Sequence, residues 1–244
     1  MEKVKIRDIF IDNVTLTDAV EKIVELSKSG FGNMVITPNA EIAQLCHEDE
    51  KLKSIVNKAQ LVIPDGIGVI LASKILGKPL KEKVAGYETA KNLFPYLEKE
   101  NLSVFFLGSK PGVGETAAKN VLKQYPKLNI CGIRDGYFKS SEEVINDINE
   151  KKPNVLFVCL GAPKQEFWMF ENKEKIKAGV MLGLGGSLDV MAGNVKRAPD
   201  FFVKFGLEWF YRLLKEPKRI GRMMKLPKYL FSIIFYKMSK GKNA

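Results

Sequence analysis

The chain has 244 residues, of which 45% are hydrophobic and 27% charged, and its net charge is +11. This length and composition fit one large globular domain, or a domain with an appendage, and exclude a disordered chain. No window reaches the roughly 20 consecutive apolar residues that a membrane-spanning helix needs. The charged N-terminus resembles neither a signal peptide nor a membrane anchor.

Strand-like and helix-like segments alternate through residues 1–195. The strand-like apolar runs are 4–6, 9–11, 34–36, 61–63, 104–107, 129–131, 155–158 and 180–182. Thr17 is predicted to cap the first helix, which ends near Gly30. The later runs are continuous rather than alternating, as expected for strands covered on both faces. We therefore predict an α/β fold with a mostly parallel, Rossmann-like sheet and flanking helices.

Three cysteines and one histidine are scattered along the chain. Cys46, Cys131 and Cys159 lie in apolar segments without paired spacing, and His47 has no second histidine to complete a metal site. We expect the cysteines to be small core residues of a cytoplasmic protein.

Glycine, proline and short polar residues follow five of the predicted strands. These stretches are TPN at 37–39, PDGIG at 64–68, GSKPG at 108–112, GAPKQE at 161–166 and GLGGS at 183–187. In open α/β sheets, ligands bind outside the carboxyl ends of the strands. The sequence therefore predicts a binding site built from these stretches.

Two of these stretches partly resemble nucleotide-binding loops. Residues 183–188 lack the last glycine of a dinucleotide fingerprint, and the acidic partner is missing. An NAD(P)-binding oxidoreductase therefore stays an alternative of a different class. In residues 108–116, Glu115 stands where a phosphate loop has lysine, which favours an ordinary strand-to-helix turn.

Asp65 and Asp189 follow or lie within two of the glycine-rich stretches. An aspartate at such a position caps the next helix or acts as a general base in a cleft. The residues alone leave both alternatives open.

The positive charge is concentrated in residues 196–244. This segment has thirteen Lys/Arg, three Asp/Glu and ten of the 24 aromatic residues, whereas the rest has 26 basic and 25 acidic residues. Residues 229–236 are almost entirely apolar but far too short to cross a bilayer. Basic and aromatic side chains beside an apolar run favour an anionic membrane surface over nucleic acid. We predict an α/β catalytic core at 1–195 and a helical, basic, membrane-docking appendage at 196–244.

An ordered set of motifs gives the chain a family resemblance. Besides 37–39 and 64–68 they are GAPKQEFW at 161–168, GGSLD at 185–189, AG at 192–193, RAP at 197–199, GLEW at 206–209, RL at 212–213 and EP at 216–217. The chain resembles the WecG/TagA/CpsF family of bacterial glycosyltransferases (glycosyltransferase family 26), and within it most resembles the TagA branch.

This resemblance implies an inverting enzyme that transfers N-acetylmannosamine from its UDP derivative (UDP-ManNAc) to undecaprenyl-diphosphate-linked N-acetylglucosamine (GlcNAc). The product would be the β-1,4-linked disaccharide lipid of wall teichoic acid linkage-unit synthesis. Other branches use a mannosaminuronate or other sugar donor, and the motifs do not separate the donors. The expected partners are the UDP-sugar, the lipid acceptor and an anionic cytoplasmic membrane surface, without nucleic acid. The protein would be peripheral on the inner face of the bacterial cell membrane.

The resemblance also implies roles for individual residues. Asp65 would deprotonate the acceptor 4-hydroxyl, and Thr37, Asn39 and Gln165 would position hydroxyls and amides. The other substrate-binding candidates are Gly66, Lys83, Glu166, Gly185, Gly186, Asp189, Arg197, Arg212, Arg219 and Arg222.

The leaving UDP needs its charge neutralised. Gly185 and Gly186 would face the diphosphate, and the chain has no Asp-x-Asp pair of the kind that binds a metal. We therefore expect no metal or other cofactor, and expect the arginines to stabilise the diphosphate. Lys83 stands where family members commonly have arginine. Lysine retains the positive charge but loses bidentate phosphate recognition, so either Lys83 performs a weaker version of that role or this position is not essential in this protein.

Overall fold

The structure, a computed structural model, describes residues 1–195, 198–199, 201–202, 208–215, 221 and 224–241. Its strands are β1 (Lys3–Ile6), β2 (Ile9–Asp12), β3 (Asn33–Ile36), β4 (Leu61–Val62), β5 (Ser103–Gly108), β6 (Asn129–Arg134), β7 (Val155–Cys159) and β8 (Val180–Gly183). Its helices are α1 (Leu16–Leu26), α2 (Ala40–Glu48), α3 (Glu50–Asn57), α4 (Ile67–Ile75), α5 (Gly86–Lys99), α6 (Val113–Leu122), α7 (Ser141–Lys151), α8 (Lys164–Asn172), α9 (Ser187–Met191), α10 (Glu208–Lys215) and α11 (Lys225–Gly241).

Strands β3 to β8 form one sheet in the order β4-β3-β8-β7-β5-β6, with every pairing parallel. This confirms the predicted α/β class. On β7, Val155 and Phe157 belong to one hydrophobic cluster, whereas Leu156 and Val158 belong to the cluster on the other face. A strand that contributes to two cores must be apolar at every position, which explains the continuous runs in the sequence.

Strands β1 and β2 form a separate antiparallel hairpin, with Ile6 opposite Ile9. The carboxylate of Asp12, which is buried at the end of this hairpin, accepts a hydrogen bond of 2.8 Å from the backbone N–H of Val62. Because β4 is an edge strand, this contact satisfies a backbone donor that the sheet leaves unpaired.

The cap of α1 differs from the prediction. Thr15, not Thr17, is the N-cap: its hydroxyl accepts from the N–H of Asp18 at 3.2 Å, and its own N–H donates to the Asp18 carboxylate at 2.9 Å. This reciprocal capping box satisfies two backbone donors. Thr17 lies within the first turn, and the helix ends at Leu26.

The cysteines lie as predicted at two of the three positions. Cys46 and Cys159 are buried, whereas Cys131 is half-buried on β6. Burial raises the pKa of the Cys46 and Cys159 thiols to about 12, so both are neutral core side chains at physiological pH.

The last helix, α11, packs against α2 and α4. Tyr229 and Ile233 are buried in this contact. Leu226 approaches so closely that a Cβ added to Gly68 would lie 2.7 Å from its Cδ1 atom. The same Cβ would lie 2.6 Å from Ala40 Cβ, so glycine at position 68 permits close packing of the first turn of α4 against both α2 and α11.

Two ion pairs flank this apolar contact. Lys225 Nζ lies 2.8 Å from Glu41 Oε1, and Lys228 Nζ lies 2.9 Å from Glu48 Oε1.

In the part of the chain that the structure describes, no helix is long and apolar enough to span a bilayer. The domain boundary at residue 195 and the membrane-docking role stay predictions.

Candidate active site

Loops from three parts of the chain meet at the carboxyl ends of β3 and β4. The N–H of Asp65 donates to Pro38 O at 3.3 Å, and the N–H of Val84 donates to Pro64 O at 2.9 Å. These backbone bonds join the loop after β3, the loop after β4 and the segment that precedes α5. Asp65 and Lys83 are half-buried on the joined loops. The predicted base and the predicted phosphate-binding cation are therefore on neighbouring loops.

Asp65 does not occupy the cap position of α4. That position is Gly66, whose φ of +83° is strained for any residue with a side chain. The sequence left open whether Asp65 caps α4 or acts as a base. The N-cap residue of α4 is Gly66, so the capping alternative does not hold for Asp65. The role of Asp65 as a base stays a prediction.

Thr37 is buried and links two strands of the sheet. Its hydroxyl donates to Gly183 O at 2.9 Å, so the end of β3 is fixed to the end of β8. Gly86 lies beside it, since a Cβ added there would be 3.5 Å from Thr37 Oγ1. The hydroxyl already has a protein acceptor, and it retains lone pairs that can accept from a ligand.

Asn39 caps α2. Its side-chain oxygen accepts from the N–H groups of Glu41 and Ile42, at 2.9 and 3.1 Å. Asparagine is among the strongest N-cap residues, and the cap uses the oxygen but not the amide hydrogens. The structure thus gives Asn39 a structural role, and contact with substrate stays a prediction.

Gln165 and Glu166 form a buried pair at the start of α8. Gln165 Nε2 donates to Glu166 Oε1 at 2.9 Å, and Gln165 Oε1 accepts from the N–H of Gly185 at 2.9 Å. Glu166 is 0% exposed and Gln165 is 2% exposed. Glu166 therefore influences the site through Gln165, whose side chain is hydrogen-bonded to the turn after β8.

Open space adjoins the glycines at several strand ends. A Cβ added at Gly112, Gly161, Gly185 or Gly186 would meet no described atom within 4 Å. By contrast, Gly108 packs so tightly that its added Cβ would lie 2.3 Å from Cys159 O. The open glycines leave room for a ligand against the backbone, whereas the glycine at position 108 serves packing.

A second side-chain pair joins the ends of β5 and β8. Ser109 Oγ donates to Asp189 Oδ2 at 2.9 Å, and Ser109 O accepts from the N–H of Gly136 at 2.9 Å. Asp189 thus lies at the same rim as the open glycines. Sequence reasoning named Asp189 but missed Ser109, whose partner is 80 positions away.

Several predicted features lie outside this geometry. Arg197, Arg219 and Arg222 are outside the described residues, and Arg212 lies on α10 with a side chain that the structure does not describe. Among the described residues, no three His, Cys, Asp or Glu side chains come together as a metal site. A cavity of about 330 Å³ near the N-terminus and α1 contains none of the predicted site residues.

The fold and the site define the class of protein. A parallel sheet with open glycine turns and polar side chains at its carboxyl ends is typical of enzymes that bind nucleotides. The family model described as "Glycosyl transferase WecG/TagA/CpsF family" matches residues 4–243. The chain belongs to this family, and the family predicted from the sequence is confirmed.

The chain is similar to curated relatives with one shared name, N-acetylglucosaminyldiphosphoundecaprenol N-acetyl-beta-D-mannosaminyltransferase. A relative from Bacillus spizizenii is 38% identical over 86% of this chain and 82% of its own. One from Bacillus subtilis is 35% identical over 84% of this chain and 80% of its own. One from Staphylococcus aureus is 35% identical over 99% of this chain and 94% of its own.

Proposed function

We propose that this chain transfers N-acetylmannosamine from UDP-ManNAc to undecaprenyl-diphosphate-linked GlcNAc, with inversion at the anomeric carbon. The product is the β-1,4-linked disaccharide lipid of wall teichoic acid linkage-unit synthesis. The observation that carries this proposal is the similarity to the Staphylococcus aureus relative along 99% of the chain. The geometry supports it, because the family motifs at 37–39, 64–68, 161–168 and 185–189 lie on loops that hydrogen bonds join at the carboxyl ends of the strands. This group of loops is hereafter the crevice.

In the proposed reaction, the acceptor 4-hydroxyl oxygen attacks the anomeric carbon while the bond to the UDP oxygen breaks. Asp65 takes the hydroxyl proton, as a general base positioned at the end of β4. Its loop is bonded to the loops that carry Thr37 and Lys83, so acceptor and donor groups would meet there. One displacement with one base accounts for inversion.

Negative charge develops on UDP as it leaves. Lys83 and the backbone of the open turn at Gly185-Gly186 would bind the diphosphate without a metal. The predicted arginines Arg197, Arg212, Arg219 and Arg222 would add positive charge. Fixed cations and backbone donors that face a leaving group stabilise the transition state without reorganisation.

Membrane association is proposed for the outer face of α11. Phe231, Ile234, Phe235 and Met238 are 40–68% exposed, and their spacing of three, one and three residues places them on one side of the helix. The opposite side is the one that packs on α2 and α4. An exposed apolar stripe on a segment with thirteen Lys/Arg suits the headgroup boundary of an anionic bilayer. The enzyme would then be peripheral on the cytoplasmic face of the membrane, where it meets its lipid acceptor.

The test is UDP release by the full chain with UDP-ManNAc and a lipid-diphosphate-GlcNAc analogue in EDTA. Turnover that depends on both substrates is expected. Activity only with UDP-ManNAc uronate or another UDP-sugar would assign a different donor within the family, and a requirement for Mg²⁺ would overturn the metal-free mechanism. Tight NAD(P) binding without transfer would favour the oxidoreductase alternative.

A further inference from the structure

A buried carboxyl group lies directly behind the turn after β8. Glu166 is fully buried, and only its Oε1 atom has a hydrogen-bond partner among the described residues; Oε2 has none. No described lysine or arginine forms an ion pair with it. Such a group is costly to bury as an anion. Its presence at the base of the crevice therefore calls for a functional reason.

The contact that Glu166 does make determines the orientation of Gln165. A carboxamide has an acceptor end and a donor end, and these are not interchangeable when both are used. Because Nε2 donates to Glu166, Oε1 must face the N–H of Gly185. Rotation of the amide by half a turn would place its NH₂ group against that N–H. Glu166 thus excludes the wrong orientation of Gln165.

Other hydrogen bonds hold the two ends of this turn: the N–H of Leu184 donates to Val158 O at 2.9 Å, and the N–H of Ser187 donates to Leu184 O at 3.2 Å. At its centre, the N–H of Gly185 donates to Gln165. Gly185 has a φ of +55° and is followed by a second glycine, and both positions border open space. Two adjacent glycines have many accessible backbone conformations. The bond from the Gly185 N–H to Gln165 selects one of them.

We propose that Glu166 is a positioning residue, a buried side chain that orients Gln165 so that the Gly185-Gly186 turn is held ready for the donor diphosphate. The identity of the ligand rests on the proposed function, but the structural role does not. Burial raises the pKa of the Glu166 carboxyl, which favours its neutral form. A neutral acid still presents a carbonyl oxygen to Gln165, and leaving its second oxygen unpaired costs less than burying a charge.

The test compares two replacements at position 166 in the full chain. Glu166→Gln keeps a carbonyl acceptor at nearly the same place, whereas Glu166→Met fills a similar volume without an acceptor. With Glu166→Met, the KM for the donor and the Kd for UDP should rise about tenfold, the size of one lost hydrogen bond. The acceptor KM should stay unchanged. Glu166→Gln should keep the donor KM within about twofold of wild type, because the hydrogen bond to Gln165 is retained, and should keep the wild-type pH profile of kcat/KM. Glu171→Gln, an exposed glutamate on the same helix, is the matched control.

Backbone hydrogen exchange at residues 183–187 of the ligand-free protein tests the role without any assay. Exchange should be about tenfold faster in Glu166→Met, since the Gly185 N–H loses its aligned acceptor, and unchanged in Glu166→Gln. Unchanged exchange and donor KM in Glu166→Met would overturn the positioning role. A Glu166→Gln variant with a tenfold higher donor KM would also overturn it, because the anion would then be required, and this holds even if Glu166→Met does not fold. Faster exchange in Glu166→Met in a protein without UDP-sugar turnover would refute the proposed function alone.

Discussion

The crevice and the outer face of α11 present their side chains in opposite ways. In the crevice, Thr37 and Gln165 are buried and are each held by directional hydrogen bonds. On α11, Phe231 and Phe235 are 62% and 68% exposed. A sugar nucleotide is recognised by polar groups at fixed positions, whereas a bilayer surface is recognised by apolar area and charge. Single substitutions in the crevice should therefore reduce activity steeply, whereas substitutions on the outer face of α11 should reduce membrane binding in a graded way.

The largest effect is expected from Asp65→Asn, which removes the proposed base but keeps the size of the side chain. The kcat should fall by about 10²- to 10⁴-fold, the usual contribution of general base catalysis. The Kd for UDP should change little, because the carboxylate acts on the acceptor. Single-turnover kinetics and calorimetry measure the two quantities. Asp147→Asn, on the surface of α7, is the control. Equal kcat values for wild type and Asp65→Asn would remove Asp65 from the role of base.

An intermediate effect is expected when the outer face of α11 becomes polar. The double variant Phe231→Ser/Phe235→Ser should bind anionic vesicles about 100-fold more weakly, since each buried phenylalanine contributes about 1.5–3 kcal/mol and immersion is partial. Turnover of a soluble acceptor analogue should stay near wild type, because neither side chain packs on the core. Cosedimentation with phosphatidylglycerol vesicles measures the change. Phe31→Ser removes an equally exposed phenylalanine elsewhere and should have no effect. Undiminished vesicle binding by the double variant would refute this surface.

The smallest effect concerns the polar edge of the contact between α11 and α2. The hydrogen bond from Lys228, followed by that from Gln44, lowers the pKa of Glu48. A carboxyl whose pKa is lower in the folded state stabilises the fold above its unfolded pKa, and this stabilisation is lost as pH falls through the folded value. Glu48→Gln should therefore lower the free energy of unfolding at pH 7 by about 0.2–1 kcal/mol, as for an exposed pair.

Urea unfolding at pH 7 and at about pH 3, below the ordinary glutamate pKa, checks this prediction. The difference between Glu48→Gln and wild type should be smaller at the lower pH. Glu174→Gln, whose side chain is 87% exposed, should match wild type at both values. A difference of the same size at both pH values would mean that Glu48 contributes through packing rather than charge.

Much of the fold was predictable because its signals are local. Each apolar run became a strand, although β6 extends three residues beyond its predicted end. In β7 and β8 the run is continuous because both faces of the strand are buried. The cap of α1 was misplaced because Thr15 and Thr17 are both threonines near the helix start. Asp18, three residues after Thr15, carried the signal of the capping box and was overlooked.

The candidate site was predictable in its loops but not in its contacts. Motifs placed Thr37, Asp65, Gln165 and Asp189 at strand ends, and parallel strands bring such ends to one edge of the sheet. Which side chains touch depends on strand order, which no local pattern encodes. The adjacency of β3 and β8 is what allows Thr37 to reach Gly183, 146 positions away.

The sequence by itself determined the α/β class, the family and the concentration of charge and aromatic residues in the tail. Only the tertiary structure decided which polar and apolar groups are buried. Glu166 belongs to a polar motif yet is fully buried, because it lies on the face of α8 that packs against the core. On α11, Tyr229 is buried while Phe231 and Phe235 are exposed, although all three belong to one apolar run. Their hydrophobicity is alike, and only the surface that α2 and α4 present selects the buried face.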